Sequence, residues 1–277
     1  MTSKRLTLTR TIQRALFLMV VWALAENATA QGGYQVVAVA HGGIIKGTVV
    51  WSGPEPHLSS FPINKDQQIC DPESQKTRDL ERLIIGPQGG VANTVVFIKS
   101  ISSGKAFDLP PARRFLNQRL CRYEPHILLV SQHATLQMTS SDATLHTLNM
   151  DGAATFNLPF PFSGVTISRE LNTPGLSHLK CNGGHAWMNA EMFVAPHPYY
   201  AVTDESGAFQ LTDVPAGAYE ILAWHEGWQV TGRANTYDVL SQKKTDRPVF
   251  SEPRTWVKEV SLNEGATVVV NFTISAK

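Results

Sequence analysis

The chain has 277 residues, of which 24 are Lys or Arg and 23 are Asp or Glu, and 43% of its residues are hydrophobic. This hydrophobic content is ordinary for a folded globular protein. Because the charges nearly cancel and there is no basic run, the sequence gives no electrostatic case for binding nucleic acid or a membrane surface. The length favours two β-sandwich units over one.

The first thirty residues have the pattern of an export signal. Basic residues precede the apolar stretch Ala15–Ala25, and Ala28–Ala30 has the small-x-small pattern of a cleavage site before Gln31. The apolar stretch is too short for a stable membrane anchor, so an uncleaved membrane helix is the weaker alternative. We predict a signal peptide over residues 1–30, a near-neutral mature chain without a membrane segment, and a periplasmic location.

The mature chain is predicted to be almost entirely β-structure. Short runs rich in β-branched and aromatic residues are bounded by Gly, Pro, Asn and Ser. These runs are 44–51, 91–98, 127–130 and 267–274. Only 78–85 and 113–120 come near a helical pattern, at about two turns each. Short strands between frequent turns predict sandwiches or barrels.

Segments from both ends of the mature chain resemble one small sandwich. Thr203–Phe209 reads Thr-Asp-x-x-Gly-x-Phe and Val214–Tyr219 reads Val-Pro-x-Gly-x-Tyr. Both patterns resemble the carboxypeptidase regulatory-like domain, which is a transthyretin-like β-sandwich. Gly42–Val50 and Val91–Ile98 are similar to two further strands of that domain. The resemblance implies that residues 31–108 belong to the same sandwich as residues 197–277, with the segment between them inserted; a tandem arrangement is the alternative.

The three cysteines are expected to include one disulfide. In an oxidising compartment two of the three would pair. Cys181 precedes His185 and Met188 with the spacing Cys-x3-His-x2-Met, and a metal-bound thiolate must stay out of a disulfide. We therefore predict a disulfide between Cys70 and Cys121. A disulfide that includes Cys181 is the alternative, but it would leave the spacing of the other two residues unexplained.

Soft and borderline metal ligands are concentrated around Cys181. His185 and Met188 follow it closely, and His146 lies upstream. A thiolate, a thioether and two imidazoles select copper over hard cations, and His2Cys with a weak axial Met is the ligand set of a blue-copper centre. We predict one copper ion, cycling between Cu(I) and Cu(II), at His146, Cys181, His185 and Met188. The weak axial ligand is the most replaceable of the four.

Residues 109–196 resemble the cupredoxin (plastocyanin-like) family. Cys121–Val130 is similar to an early strand of the family with an aromatic-x-Pro signature. Ser140–His146 is similar to its Asn-x-Asp-x-x-x-His strand, with Ser140 in place of Asn. The resemblance implies a cupredoxin-like Greek-key sandwich beside the transthyretin-like sandwich, in an all-β protein. Asp142 and Asn157 are interpreted as hydrogen-bonding partners that fix loops.

The spacing around Cys181 also matches half of the binuclear copper-A loop of cytochrome oxidase subunit II. That centre needs a cysteine four residues earlier, where this chain has Ser177. We therefore predict a mononuclear site. The remaining candidates for ligands or nearby donors are interpreted as ordinary hydrogen-bonding or structural residues: His126, His178, His197 and His225.

The predicted function is one-electron transfer in the periplasm. The exposed edge of a histidine ligand would pass the electron to a redox protein such as a cytochrome or an oxidase. A non-redox copper-binding protein or an envelope interaction module is the alternative. We predict that the protein is not an enzyme and has no catalytic residues, because the sequence shows no nucleophile with its base and no paired carboxylates.

Overall fold

The structure, a computed structural model, describes residues 33–107, 114–238 and 241–276. Within these ranges the protein is all β, which confirms the predicted fold class, and its α-helix α1 covers only Gln67–Cys70. No helix in the described ranges is long and apolar enough to cross a membrane. The predicted signal peptide and residue 109, where the predicted central domain begins, lie outside the described residues.

The strands are given in chain order. They are β1 Gln35–Val36, β2 Gly43–Ser52, β3 Phe61–Pro62, β4 Thr77–Arg78, β5 Val95–Ile98, β6 Ser103–Gly104, β7 Phe115–Arg119, β8 Arg122–Glu124, β9 Ile127–Ser131, β10 Thr135–Ser140, β11 His146–Gly152, β12 Phe156–Phe160, β13 Thr166–Glu170, β14 Gly175–Lys180, β15 Asn189–Ala195, β16 Tyr200–Val202, β17 Ala208–Val214, β18 Gly217–His225, β19 Val230–Tyr237, β20 Lys244–Phe250, β21 Arg254–Leu262, β22 Thr267–Val269 and β23 Phe272–Ser275.

Strands β7 to β15 form what we call the first sandwich. One sheet has the order β13-β10-β7-β8 and the other has the order β12-β11-β14-β15-β9. Side chains alternate between core and solvent along β10, as expected for a strand with one buried face. The two inner faces enclose an apolar core whose largest fully buried side chains include Tyr123, Phe160 and Trp187.

Strands from both ends of the described chain form the second sandwich. One sheet has the order β16-β5-β18-β21, and in the other β2 pairs with β17, β22 and β23. Ile45, Ile98, Ile221 and Phe272 lie in the core between these sheets. Thus β2 and β5, which precede the first sandwich in sequence, pair with strands that follow it. The domain boundaries at residues 108 and 196 stay predictions.

The two sandwiches share an apolar junction. In β9, Leu128 and Val130 face the core of the first sandwich, whereas Ile127 and Leu129 pack against the second. Every residue of β9 is therefore buried. Phe193 of β15 also meets Trp224 of β18 edge to face, with ring centroids 4.8 Å apart.

Several predicted elements differ from the observed ones. The run at 78–85 contributes only the end of β4, and 115–119 is a strand, so neither helix-like pattern forms a described helix. The predicted strand 267–274 is interrupted at Val270 and Asn271. There the chain crosses Gly47, where a Cβ atom would lie 1.7 Å from the carbonyl oxygen of Val270.

Candidate metal centre

Neighbouring strands bring His146 and Cys181 to one end of the first sandwich. His146 is the first residue of β11, which pairs antiparallel with β14, and β14 ends one residue before Cys181. The loop 181–188 then carries His185 and leads into β15. Within this loop the backbone N–H of Gly183 donates to the Cys181 sulfur at 3.3 Å. This loop therefore turns His185 back toward the start of β11.

Three donor atoms converge within the core. The Nδ1 atoms of His146 and His185 are 3.2 Å apart, and they lie 3.9 Å and 3.8 Å from the Sγ atom of Cys181. All three side chains are buried, and neither imidazole is exposed to solvent. The structure thus brings together three of the four predicted ligands.

The size of this triangle fits a single metal ion. Metal–nitrogen and metal–sulfur bonds of about 2 Å would let all three atoms, which are 3.2 to 3.9 Å apart, reach one ion. A trigonal His2Cys plane is the arrangement that distinguishes blue-copper sites.

Each imidazole is held by a carboxylate on its other nitrogen. His146 Nε2 lies 2.8 Å from Asp142 Oδ2, and His185 Nε2 lies 2.9 Å from Asp66 Oδ2. A carboxylate that accepts a hydrogen bond from Nε2–H fixes the orientation of the ring and leaves Nδ1 as the nitrogen available to a metal. Both rings are therefore oriented with Nδ1 toward Cys181.

Asp142 also holds the turn between β7 and β8. Its two carboxylate oxygens accept hydrogen bonds from the backbone N–H groups of Leu120 and Cys121. Burial raises the pKa of Asp142, but the hydrogen bonds from His146 and from this turn outweigh it and lower the pKa. This geometry agrees with the interpretation of Asp142 as a loop-fixing residue.

The electrostatics favour a thiolate at Cys181. Burial raises the pKa of this thiol, but its interactions with His146 and His185 outweigh burial and hold the pKa well below its usual value. For His146 the directions are reversed. Burial alone would lower the pKa of this imidazole, but the hydrogen bonds to Asp142 and Cys181 outweigh burial and raise the pKa to about 9. These contacts thus favour the deprotonated form of sulfur, which is the form that binds metals.

Met188 is buried in the core of the first sandwich, beside the ligand loop. Its backbone N–H donates to the carbonyl oxygen of His185 at 3.0 Å. Trp187, which precedes it, packs edge to face against the His185 ring and donates from Nε1 to the carbonyl oxygen of Cys121. The role of Met188 as an axial ligand stays a prediction.

The structure joins Cys70 and Cys121 by a disulfide bond and leaves Cys181 as the free cysteine, as the sequence predicts. The disulfide also lies beside the metal centre. Both of its sulfur atoms and a ring nitrogen of His185 are within 4.8 Å of one another. No sequence spacing indicated this proximity, because it depends on the long-range pairing of the two cysteines.

The expectation of an exposed histidine edge is wrong. His146 and His185 are both fully buried. Asp66 covers the Nε2 side of His185, and the nearby Lys65 donates to the carbonyl oxygen of Gly183 at 2.7 Å. The ligand loop is therefore covered by a segment that lies outside strands β7 to β15.

The other side chains considered in the sequence analysis lie away from the donor triangle. His126 bonds to Glu226, and His178 Nδ1 lies 2.6 Å from Glu191. Asn157 lies in the middle of β12 with an exposed side chain, opposite Asn149, and is not brought to the donor triangle.

His197 and His225 are both buried among side chains of the second sandwich. His197 packs against Tyr199 and Tyr200, and His225 packs against Trp228. These surroundings agree with the structural role assigned to both histidines.

Ser177 lies within β14 rather than in the ligand loop. Its hydroxyl accepts a hydrogen bond from the backbone N–H of Ala154 at 2.8 Å. Since a strand rises about 3.3 Å per residue, position 177 is roughly 13 Å from position 181. This location gives a second reason, besides the residue type, why position 177 supplies no ligand to a binuclear centre.

No family model and no curated protein matches this sequence. Several solved structures are similar to part of it. They include a novel purple cupredoxin from Nitrosopumilus maritimus, at 17% identity and a TM-score of 0.26, covering 29% of this chain and 98% of that one. Amicyanin from Paracoccus versutus has 14% identity and a TM-score of 0.27, covering 36% of this chain and 97% of that one.

A Cu-containing nitrite reductase from Thermus scotoductus has 15% identity and a TM-score of 0.28, covering 35% of this chain and 25% of that one. The chemistry that the site can perform is determined by its own donor atoms.

Proposed function

We propose that the protein is a mononuclear type 1 copper protein that carries one electron at a time between protein partners. The observation that carries the proposal is the donor triangle of His146, Cys181 and His185, which would hold one ion by two imidazoles and a thiolate. Met188 is the proposed axial ligand. Copper, when bound, supplies the Cu(I)/Cu(II) couple.

The chain's own residues hold the donors in place. Asp142 and Asp66 fix the two imidazoles, and backbone N–H groups of Thr147 and Gly183 lie 3.4 Å and 3.3 Å from the Cys181 sulfur. Hydrogen bonds to a ligating sulfur and exclusion of water both tune the reduction potential of such a site. Because neither imidazole is exposed, the proposed route of the electron passes through the protein that covers them.

We further propose a periplasmic location and a redox partner such as a cytochrome or an oxidase. The export pattern at residues 1–30 and a disulfide suited to an oxidising compartment support the location. We also propose that the second sandwich is a carboxypeptidase regulatory-like domain, on the basis of the motifs at 203–209 and 214–219, and that the protein is not an enzyme.

Absorption and EPR spectra of the copper-reconstituted protein test the proposed function. We expect an intense thiolate-to-copper charge-transfer band, one copper per chain, and loss of the band in Cys181→Ser. Ser177→Ala is the matched control, because this side chain on β14 is equally buried only four residues before Cys181, and the variant should keep the band. A copper-loaded wild-type protein without the charge-transfer band would contradict the proposal.

A non-redox copper-binding role is the second candidate, and the complete burial of both imidazoles favours it. Voltammetry separates the two functions. A reversible one-electron couple supports the electron carrier. Stable copper binding with the band present, but without reversible oxidation and reduction, would support copper storage or an interaction module.

A further inference from the structure

We infer that Asp66 is a positioning residue of the metal centre, which holds the imidazole of His185 and adds negative charge beside the copper ion. The inference deepens the proposed function and rests on it. Its basis is the contact between this carboxylate and a ligand ring that lies 119 residues away in sequence.

One carboxylate oxygen of Asp66 connects both sides of the site. Asp66 Oδ2 lies 2.9 Å from His185 Nε2, and the same oxygen accepts a hydrogen bond from Thr144 Oγ1 at 2.7 Å. Thr144 lies two residues before His146. The carboxylate thus connects the ring of His185 to the segment that leads into the other histidine ligand.

The backbone around Asp66 fixes the direction of its side chain. Asp66 occupies the left-handed region, with φ 47° and ψ 42°, immediately before α1, a conformation that aspartate adopts more readily than most residues. Its carbonyl oxygen accepts hydrogen bonds from the backbone N–H groups of Ile69 and Cys70. Asp66 is therefore held by the first turn of α1.

Two long-range contacts attach this segment to the metal centre. On one side, the disulfide from Cys70 joins the end of α1 to Cys121 in the first sandwich. On the other, Lys65 Nζ lies 2.7 Å from the carbonyl oxygen of Gly183 and 2.6 Å from Asp238 Oδ2. The segment that carries Asp66 is thereby attached on both sides of that residue.

The charge of Asp66 determines the sign of its effect on the metal. Asp142 already places one carboxylate on His146, and Asp66 places a second on His185. Negative charge near a metal stabilises the more highly charged ion, so both carboxylates favour Cu(II) over Cu(I). Asp66 therefore lowers the reduction potential, and neutralising it raises the potential.

The experiment compares variants in the copper-loaded full-length protein. Asp66→Ala removes the acceptor and the charge, and Asp66→Asn keeps an acceptor oxygen while it removes the charge. Glu73→Gln is the matched control, because it removes one negative charge from an exposed side chain only seven residues away. The measurements are the reduction potential and the rate at which a chelator extracts copper.

We expect Asp66→Ala to lose about 10–100-fold in copper affinity, as is typical when the partner of a metal-bound histidine is removed. Asp66→Asn should raise the reduction potential and lose less copper affinity than Asp66→Ala. A residue with only a structural role would not raise the potential. Glu73→Gln should match the wild type. The inference is overturned if both Asp66 variants match Glu73→Gln.

A readout without copper keeps the contact separate from the function. In the metal-free protein, 15N NMR should show the Nε2–H of His185 hydrogen-bonded in the wild type and lost in Asp66→Ala. Unchanged ring signals would overturn the positioning role. If the wild-type protein shows no charge-transfer band, the proposed function and the effect on the potential both fail, whereas the NMR result still decides the contact.

Discussion

Two clusters of histidines and carboxylates, each built around buried side chains, can be compared in this protein. The metal cluster consists of Asp66, Asp142, His146, Cys181 and His185. The junction cluster, where the two sandwiches meet, consists of Arg82, His126, His178, Glu191 and Glu226. In both clusters two histidines are each bonded to a carboxylate. They differ in the charge that lies at the centre.

A protein cation occupies the centre of the junction cluster. Arg82 Nη2 lies 2.7 Å from Glu226 and 3.7 Å from Glu191, and its other nitrogens donate to Gly227 and Asn189. Burial raises the pKa of Glu226, but the charges of His126 and Arg82 outweigh it and lower the pKa. Arg82 thus supplies a positive charge between the two carboxylates, at the place where a metal ion would otherwise compensate them.

The centre of the metal cluster holds atoms that can bind a metal, where the junction cluster holds a guanidinium. Two imidazole nitrogens face the sulfur of Cys181, and both carboxylates lie on the far sides of the rings. A cluster of histidine and carboxylate side chains therefore indicates a metal site only when its free lone pairs converge. Residue composition alone does not distinguish the two clusters.

The largest expected effect on folding comes from the junction cluster. Arg82→Met keeps a side chain of similar length but leaves buried carboxylates without their cation, which typically costs about 3–5 kcal/mol. The charge-transfer band should remain, because the donor triangle is untouched. Urea unfolding of the copper-loaded protein measures the loss of stability.

The control for Arg82→Met is Lys99→Met, which breaks the exposed pair between Lys99 and Glu220. Exposed ion pairs contribute only about 0–1 kcal/mol. Equal stabilities of the two variants would contradict the assignment of the junction cluster as a stabilising feature. Loss of the copper band in Arg82→Met alone would show that the two clusters are not independent.

The candidate ligands could be picked out from the sequence because local spacing groups them. Cys181, His185 and Met188 lie in one stretch between two strands, and His146 begins the strand next to Cys181. The fold class could also be predicted, because the β-branched runs became strands β2, β5 and β9. Local pattern and strand pairing agree at each of these places.

The partners of those ligands could not be found in the same way. Asp66 reaches His185 across 119 residues, and Arg82 reaches Glu226 across an even longer separation. Neither contact follows a strand or helix period, since both depend on how separate segments pack. The incorrect expectation of an exposed histidine edge has the same cause, because the residues that cover His185 come from a distant segment.

A buried histidine outside both clusters extends the comparison to an environment without a carboxylate. His197 packs against the rings of Tyr34, Tyr199 and Tyr200, with centroids 6.1, 6.0 and 5.0 Å away. Burial lowers the pKa of His197 to about 4, whereas Asp142 and Cys181 raise that of His146 to about 9. Burial also raises the pKa of Tyr200 to about 12.

The depressed pKa of His197 predicts a specific loss of stability in acid. Its contribution is present above the unfolded-state value near 6.5 and is lost as the pH falls through about 4. By pH 4.5 the loss should reach about 2–3 kcal/mol. His197→Phe keeps an aromatic ring that takes up no proton, so it should remove this part of the pH dependence.

Urea midpoints of the wild type and His197→Phe at pH 7.5 and pH 4.5 measure the effect. Groups other than His197 titrate in both proteins, so the difference between the two pH dependences isolates this histidine. Wild-type stability should fall more steeply than that of the variant. Parallel pH dependences would mean that His197 takes up its proton in the folded protein as easily as in the unfolded chain, and that burial without a carboxylate leaves its pKa unchanged.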